Sequence, residues 1–428
     1  MSVTCCIRYV IDPYKGLGAF AKTMQASGAD AVVTPANAYD TGIDSLSRRQ
    51  ADLSDLQGQM TSGKRVSKAS DDPAAAARAE RALASISRVE TSQRAVDASK
   101  VVMTQTESSL GTAGDLMQSA RELMVAAGNA SYGDSERASI AAQLKSIRDQ
   151  LFTVANSNDG AGTYLFGGQG ATQKPFVDAP GGVQYAATGG QTRTEAGTNL
   201  PLTSDGQASW LSARTGNGVF VTSAAPGVAN ATIDSGIVSN PSALTGADYS
   251  LDFSISGGVT TYAVLKNGLP TAVTAAAYVS GQAITVDGMT VSVSGAPTTG
   301  DQFQIAASTP TLSVFDTLDQ AIAGLQATGR TTSQIAQATG ENLRNADSVM
   351  GSLQSARAAA GAVLNRIDSE SSRLDTQKLA STTERSNAED VDMVHAISDF
   401  QNRQSGYDAA LKSYALVQRL SLFQYVNG

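Results

Sequence analysis

Histidine, tryptophan and cysteine are almost missing from this 428-residue chain, which has one, one and two of them, and only 5 % of it is aromatic. The single histidine, His395, removes most imidazole-based acid–base catalysis and any multi-histidine metal site. Cys5 and Cys6 are neighbours, so the chain has no disulfide framework and no thiolate cage for a metal. Nowhere does it hold the roughly 18 consecutive apolar residues that span a bilayer. Its first 30 residues lack the apolar core, about 7–15 residues long, of a secretory signal peptide, so exit from the cell would need another route. The 31 basic residues are outnumbered by 39 acidic ones, giving a formal charge of −8. Such a surface repels phosphate backbones and argues against nucleic-acid binding. These shortages point away from an enzyme with a cofactor or a dense aromatic pocket.

Proline is unevenly spread. Eight of the eleven prolines fall between Pro175 and Pro310, with none from 74 to 174 and none after 310. Proline costs about 3 kcal/mol inside a helix, so long helices can run only in the two flanks. The centre is also poor in charge, with 4 basic and 8 acidic side chains between 169 and 310.

In the N-terminal flank Val89, Val96, Met103, Leu110, Met117 and Met124 recur every seventh residue. Small residues (Ser92, Ser99, Thr106, Ala113, Ala120, Ala127) stand three positions after each. This spacing predicts a coiled-coil helix from Pro73 to about Asn129, capped by Asp71 and Asp72. Ile140, Leu144, Ile147, Leu151 and Val154 predict a second helix folding back on it. In the C-terminal flank Leu343, Ala346, Met350, Leu353, Ala360, Leu364, Ile367 and Leu374 keep one heptad register. Two stripes lie nearer the ends. One is Ile43, Leu46, Leu53, Leu56 and Met60; the other is Met393, Ile397, Phe400, Tyr407, Leu411 and Tyr414, continuing to Leu420, Leu422 and Phe423. Burying a large apolar side chain is worth about 1.5–3 kcal/mol, so these stripes need partners. Together they form the expected subunit interface.

The centre alternates like β-structure. Ile284 and Val286, then Asp287-Gly288, then Met289, Val291 and Val293 predict a two-residue hairpin, and Asn267-Gly268 predicts another. The expected class is α+β: a long antiparallel helical coiled-coil rod built from both chain ends, with an inserted antiparallel β-rich domain. Its divisions are a 1–35 extension, helical 36–168, β-rich 169–310 and helical 311–428.

No motif carries chemistry. Gly58 to Lys64 matches the start of a phosphate loop, but Arg65 stands where Ser or Thr should bind the metal, and no strand precedes it. Asn156 to Gly160 has the look of a calcium loop, yet Phe166 stands where its bidentate Glu belongs. Gly167 to Gly170 is a boundary turn without a βαβ unit around it. Asn129-Ala130-Ser131 and Asn230-Ala231-Thr232 are formal glycosylation triplets of a kind common by chance. No catalytic, metal or cofactor site is expected.

Residues from about 36 to 174 and from about 311 to 428 resemble the flagellin superfamily, and within it the hook-associated protein 3 family. Gln59-Met60-Thr61-Ser62-Gly63-Lys64-Arg65-Val66 and Ser70-Asp71-Asp72-Pro73-Ala74 are similar to its N-terminal signature, though filament flagellins share the Ser-Gly-Lys/Arg stretch. Arg148-Asp149-Gln150-Leu151, on through Asn156-Ser157-Asn158-Asp159-Gly160 to Tyr164-Leu165-Phe166-Gly167-Gly168 and Lys174-Pro175-Phe176, favours the junction proteins over filament subunits. Ser413 to Phe423 resembles their C-terminal end. The resemblance implies a non-enzymatic flagellar part, exported unfolded through the flagellar type III apparatus and secreted to the hook–filament junction. Implied partners are further copies in a helical ring, the larger hook-associated protein on the hook side and flagellin on the filament side. The flagellar cap would touch it transiently, and an export chaperone would hold the C-terminal helix. The resemblance also implies ends that stay disordered until assembly. A filament flagellin, or a flagellin-like protein with an enzymatic or adhesive central domain, is the alternative. The extra residues before Ala36 read as a misassigned start or a fused fragment, with a genuine extension as the alternative; each displaces the export signal expected at the very beginning of the chain.

Overall fold

The computed structural model describes residues 35–426 except 171 and 195–198, with side chains described from 40 to 416. Cys5, Cys6 and all but the last residue of the 1–35 extension lie outside the described residues, as do the side chains of Leu420, Leu422 and Phe423. The chain divides into two compact units: the ends, up to Ala76 and from Ala388, and the body, Ala77–Asn387.

The body is built on two long helices, α2 (Pro73–Ala127) and α6 (Thr332–Glu389), which continue into the end unit. The 55 residues of α2 amount to about 80 Å of helix at 1.5 Å per residue. The expected seam is present: Val89, Val96, Met103, Leu110, Met117 and Met124 are all buried, as are Ser99, Thr106, Ala113, Ala120 and Ala127. Facing it on α6, Ala346, Leu353, Ala360, Ile367 and Leu374 are buried at steps of seven, with Leu343, Met350 and Leu364 half-buried. Cross-helix ion pairs fix the direction. Glu90 meets Lys378 at 3.0 Å, Lys100 meets Asp368 at 2.8 Å, Glu107 meets Arg357 at 2.6 Å and Arg121 meets Asp347 at 2.6 Å. Numbers rise along α2 as they fall along α6, so the pair is antiparallel.

Helix α3 (Asp134–Ala155) buries Ile140, Leu144, Ile147 and Leu151 as expected. It packs with α5 (Val314–Gln326), whose N-terminus Ser313 caps by accepting bonds from the N–H groups of Phe315 and Asp316. A hairpin of β1 (Phe176–Ala179) and β2 (Gly182–Tyr185) and the short α4 (Gly206–Trp210) join the same core. There Trp210 lies among Phe166, Phe176 and Phe315, all fully buried. The Tyr185 hydroxyl donates to the Phe166 carbonyl at 3.0 Å, and burial pushes its pKa up to about 12.

Ten strands form a separate core: β3 (Phe220–Ala224), β4 (Ala231–Ile233), β5 (Ile237–Val238), β6 (Tyr249–Ser256), β7 (Val259–Lys266), β8 (Leu269–Pro270), β9 (Ala276–Ala277), β10 (Ala283–Val286), β11 (Met289–Gly295) and β12 (Gln302–Ala307). One sheet runs β3-β12-β6-β7-β8 with β9 on β7; the other runs β10-β11-β4 with β5 on β11. Leu251, Phe253, Phe303 and Ile305 of the first pack with Ile284, Val291 and Val293 of the second. Both expected hairpins form. Val286 pairs with Met289 and Lys266 with Leu269. The turn residues Asp287, Gly288, Asn267 and Gly268 all have positive φ, the conformation that two-residue turns demand. Helix α6 covers the β4 edge, where the Ile233 N–H donates to Gln337 Oε1 at 2.9 Å.

Candidate assembly surface

The end unit consists of α1 (Pro35–Ser62), α7 (Met393–Val426) and the breaks that connect them to α2 and α6. Asp52 meets Arg403 at 3.5 Å. A Cβ on Gly42 would touch the Tyr414 ring at 3.4 Å, and one on Gly406 would lie 3.2 Å from the Arg49 guanidinium. Higher numbers on α1 meet lower numbers on α7, so these helices are also antiparallel. Glycine at 42 and 406 lets side chains from the facing helix approach the backbone closely.

This pairing brings the two expected stripes together without covering them. Leu56 is buried; Leu46, Leu53, Met60, Phe400, Tyr407 and Tyr414 are half-buried. Ile43 remains 40 % exposed, Met393 44 %, Ile397 43 % and Leu411 41 %. Val394 and Leu416, which the stripes omitted, are more exposed still. Leu416 lies inside the Ser413–Phe423 motif that could have pointed to it; Val394 is off the periodic positions and gave no signal. After the two helices have paired, these apolar side chains are left open among the charged residues of α1 and α7.

Below this face both long helices are interrupted at one level. Helix α1 ends at Gly63, whose φ is +70°. Gly58, the other glycine of the supposed phosphate loop, lies inside α1, so no loop exists there. Lys64 forms an antiparallel β-bridge with Asp390. The N–H groups of Arg65 and Val66 donate to the Glu389 carbonyl at 2.7 and 3.2 Å, and Val391 N–H donates to the Gly63 carbonyl at 3.0 Å. Lys64 Nζ lies 3.3 Å from the Glu389 carboxylate. Asp71 and Asp72 divide their work. Asp71 Oδ2 accepts from the N–H groups of Ser67 and Lys68, tightening the loop, while Asp72 Oδ1 caps α2 by accepting from Ala74 and Ala75. Those backbone donors hold both carboxyls below their usual range. Asp392 Oδ1 does the same for α7, accepting from Val394 and His395. His395 is otherwise solvated, with Asp392 at 3.9 Å from its Nε2.

The signature from Arg148 onward is structural. Arg148 forks to Asp178 at 2.5 and 2.8 Å and to Asp319 at 3.1 and 3.2 Å, tying α3 to β1 and α5. The supposed calcium loop is a turn: Asn158 Oδ1 accepts from Gly160 N–H, and Asp159 Oδ1 from Ala161 and Thr163. Phe166 is fully buried against Trp210.

Residues 36–171 match the bacterial flagellin N-terminal helical region, and 343–426 match the bacterial flagellin C-terminal helical region. The chain is 39 % identical over 148 residues to the flagellar hook-associated protein 3 of Salmonella typhimurium, covering 34 % of this chain and 45 % of that protein. It thus spans less than half the length of the curated relatives it matches. The crystal structure of Xanthomonas campestris FlgL superposes with a TM-score of 0.63 at 30 % identity, covering 71 % of this chain and 99 % of that one. The flagellar junction protein FlgL from Legionella pneumophila gives 0.60 at 26 % identity, covering 66 % of this chain and 97 % of that one. With matched helical regions at both ends and nearly the whole of a solved relative covered, the chain belongs to the flagellin superfamily, in its hook-associated protein 3 family.

Proposed function

We propose that this protein is a structural adapter of the bacterial flagellum, seated outside the cell between hook and filament and acting by contact alone. The observation that carries the reading is the apolar face left open after α1 and α7 have paired, with Ile43, Met393, Ile397 and Leu411 each about two-fifths exposed. A large apolar side chain gains roughly 1.5–3 kcal/mol on full burial, so a row of them favours contact with neighbouring copies. A contact between different patches repeats head to tail around an axis and builds a helical ring. The ring's outer neighbours in this reading are the larger hook-associated protein on one side and flagellin on the other, with the cap and an export chaperone as earlier partners of the same ends. The solved Legionella pneumophila relative, described as a flagellar junction protein, supports the junction role.

Deletion of the gene tests the reading. The expected result is a cell with hooks, without attached filaments, and with flagellin shed into the medium. Filaments that stay attached overturn it. Loss of extracellular flagellin itself supports the filament-subunit alternative.

A further inference from the structure

Helix α6 stops at Glu389, and α7 starts at Met393. The three residues between them, Asp390, Val391 and Asp392, include neither proline nor glycine, and no proline occurs anywhere after 310. Asp392 can start α7 as its cap, but nothing local forbids one continuous helix. A helix end leaves its last carbonyls without partners, and something must satisfy them. Here the partners come from the other end of the chain. Arg65 and Val66 supply their N–H groups to the Glu389 carbonyl, and Arg65 Nη2 donates to the Ala388 carbonyl at 3.0 Å. The same guanidinium reaches the Asp72 carboxylate through Nη1 at 3.3 Å, which orients it. Its charge also suits the negative end of the α6 dipole.

We propose that Arg65 is a positioning residue that caps α6 in trans, and so sets the point where α7 begins and the register in which α7 meets α1. Its value to the apolar face rests on the reading of that face as an assembly surface, but the register itself belongs to a single chain.

Disulfide trapping in the full-length chain tests this, with Cys5 and Cys6 replaced by serine. Arg49→Cys with Gly406→Cys reports the observed register; Arg49→Cys with Ala410→Cys reports one turn away. Trapping rate follows effective concentration, so the first pair should close on the order of tenfold faster than the second. Arg65→Ala should abolish that preference. Arg65→Lys, which keeps the charge but cannot reach Ala388 and Asp72 together, should restore part of it. Asp72→Asn, which keeps the α2 cap and removes the ion pair, should weaken it mildly. Arg81→Ala, whose side chain donates to the Ala77 carbonyl of its own helix, should leave it intact. No preference in the parent chain, or an unchanged preference in Arg65→Ala, overturns the proposal. Filament attachment is scored in the same strains. A register that depends on Arg65, in cells whose filaments stay attached without the apolar residues, supports the clasp while refuting the reading of the face.

Discussion

Trp210 and Phe315 stack with ring centroids 5.9 Å apart and planes 7° from parallel. One closes the segment that follows the N-terminal helices, and the other opens the C-terminal helical region. With Phe166 5.3 Å away on the edge of Trp210, they join both halves of the chain in one aromatic core. Because Trp210 is the chain's single tryptophan, its emission reports this joint alone. Phe315→Ala removes a fully buried ring and should cost about 3–5 kcal/mol. Denaturant unfolding followed by tryptophan emission should show a lower midpoint and a red-shifted native spectrum. An unchanged spectrum and midpoint would contradict the packing.

Acid should act in opposite senses on two aspartates near Arg148. The guanidinium holds the Asp178 carboxyl below its usual range. A carboxyl with a depressed folded pKa contributes stability above its unfolded pKa, near 3.9, and that stability is lost as pH falls through the folded value. Asp316 is shifted up, first by burial and then by the Asp319 charge. It disfavours the folded state increasingly as pH rises through its raised value. At neutral pH Asp178→Asn should therefore lower Tm and blunt the acid limb of the stability profile. Asp316→Asn should raise Tm at neutral pH, with the gain disappearing in acid. Thermal melts across the range from neutral to acid check both signs.

The alternation of large and small residues along α2 should be intolerant in both directions. Leu110→Ala opens a cavity and should cost about 2–5 kcal/mol. Ala113→Leu forces a side chain into fully buried space and should cost about 1–3 kcal/mol. Urea unfolding of each variant measures it, and a neutral Ala113→Leu would show that the α2–α6 seam is looser than described.

Much of this was legible in the sequence, for stated reasons. Seven-residue spacing without proline specified α2 and α6, and paired positive-φ turn residues specified the hairpins at 267–268 and 287–288. The break at 390–392 was not legible, because the groups that end α6 lie more than 300 positions earlier, at Arg65 and Val66. Nor was it legible that Phe176, Val183 and Trp210 pack with the helices, since β1 and β2 are only four residues each and carry no long pattern. In the stripes, hydrophobicity marked Leu56 and Ile43 alike. Only the α1–α7 pairing separates the buried one from the one left open.

The central claim is that the open face of α1 and α7 exists to be covered by other copies. Its most direct test is filament attachment in cells whose chain carries Ile43→Ser, Ile397→Ser and Leu411→Ser together, with the exported chain quantified in the medium. The account predicts that this chain leaves the cell in normal amount, keeps the cross-linked α1–α7 register, and fails to retain filaments on the hook. Filaments held as firmly as in the parent strain would contradict it.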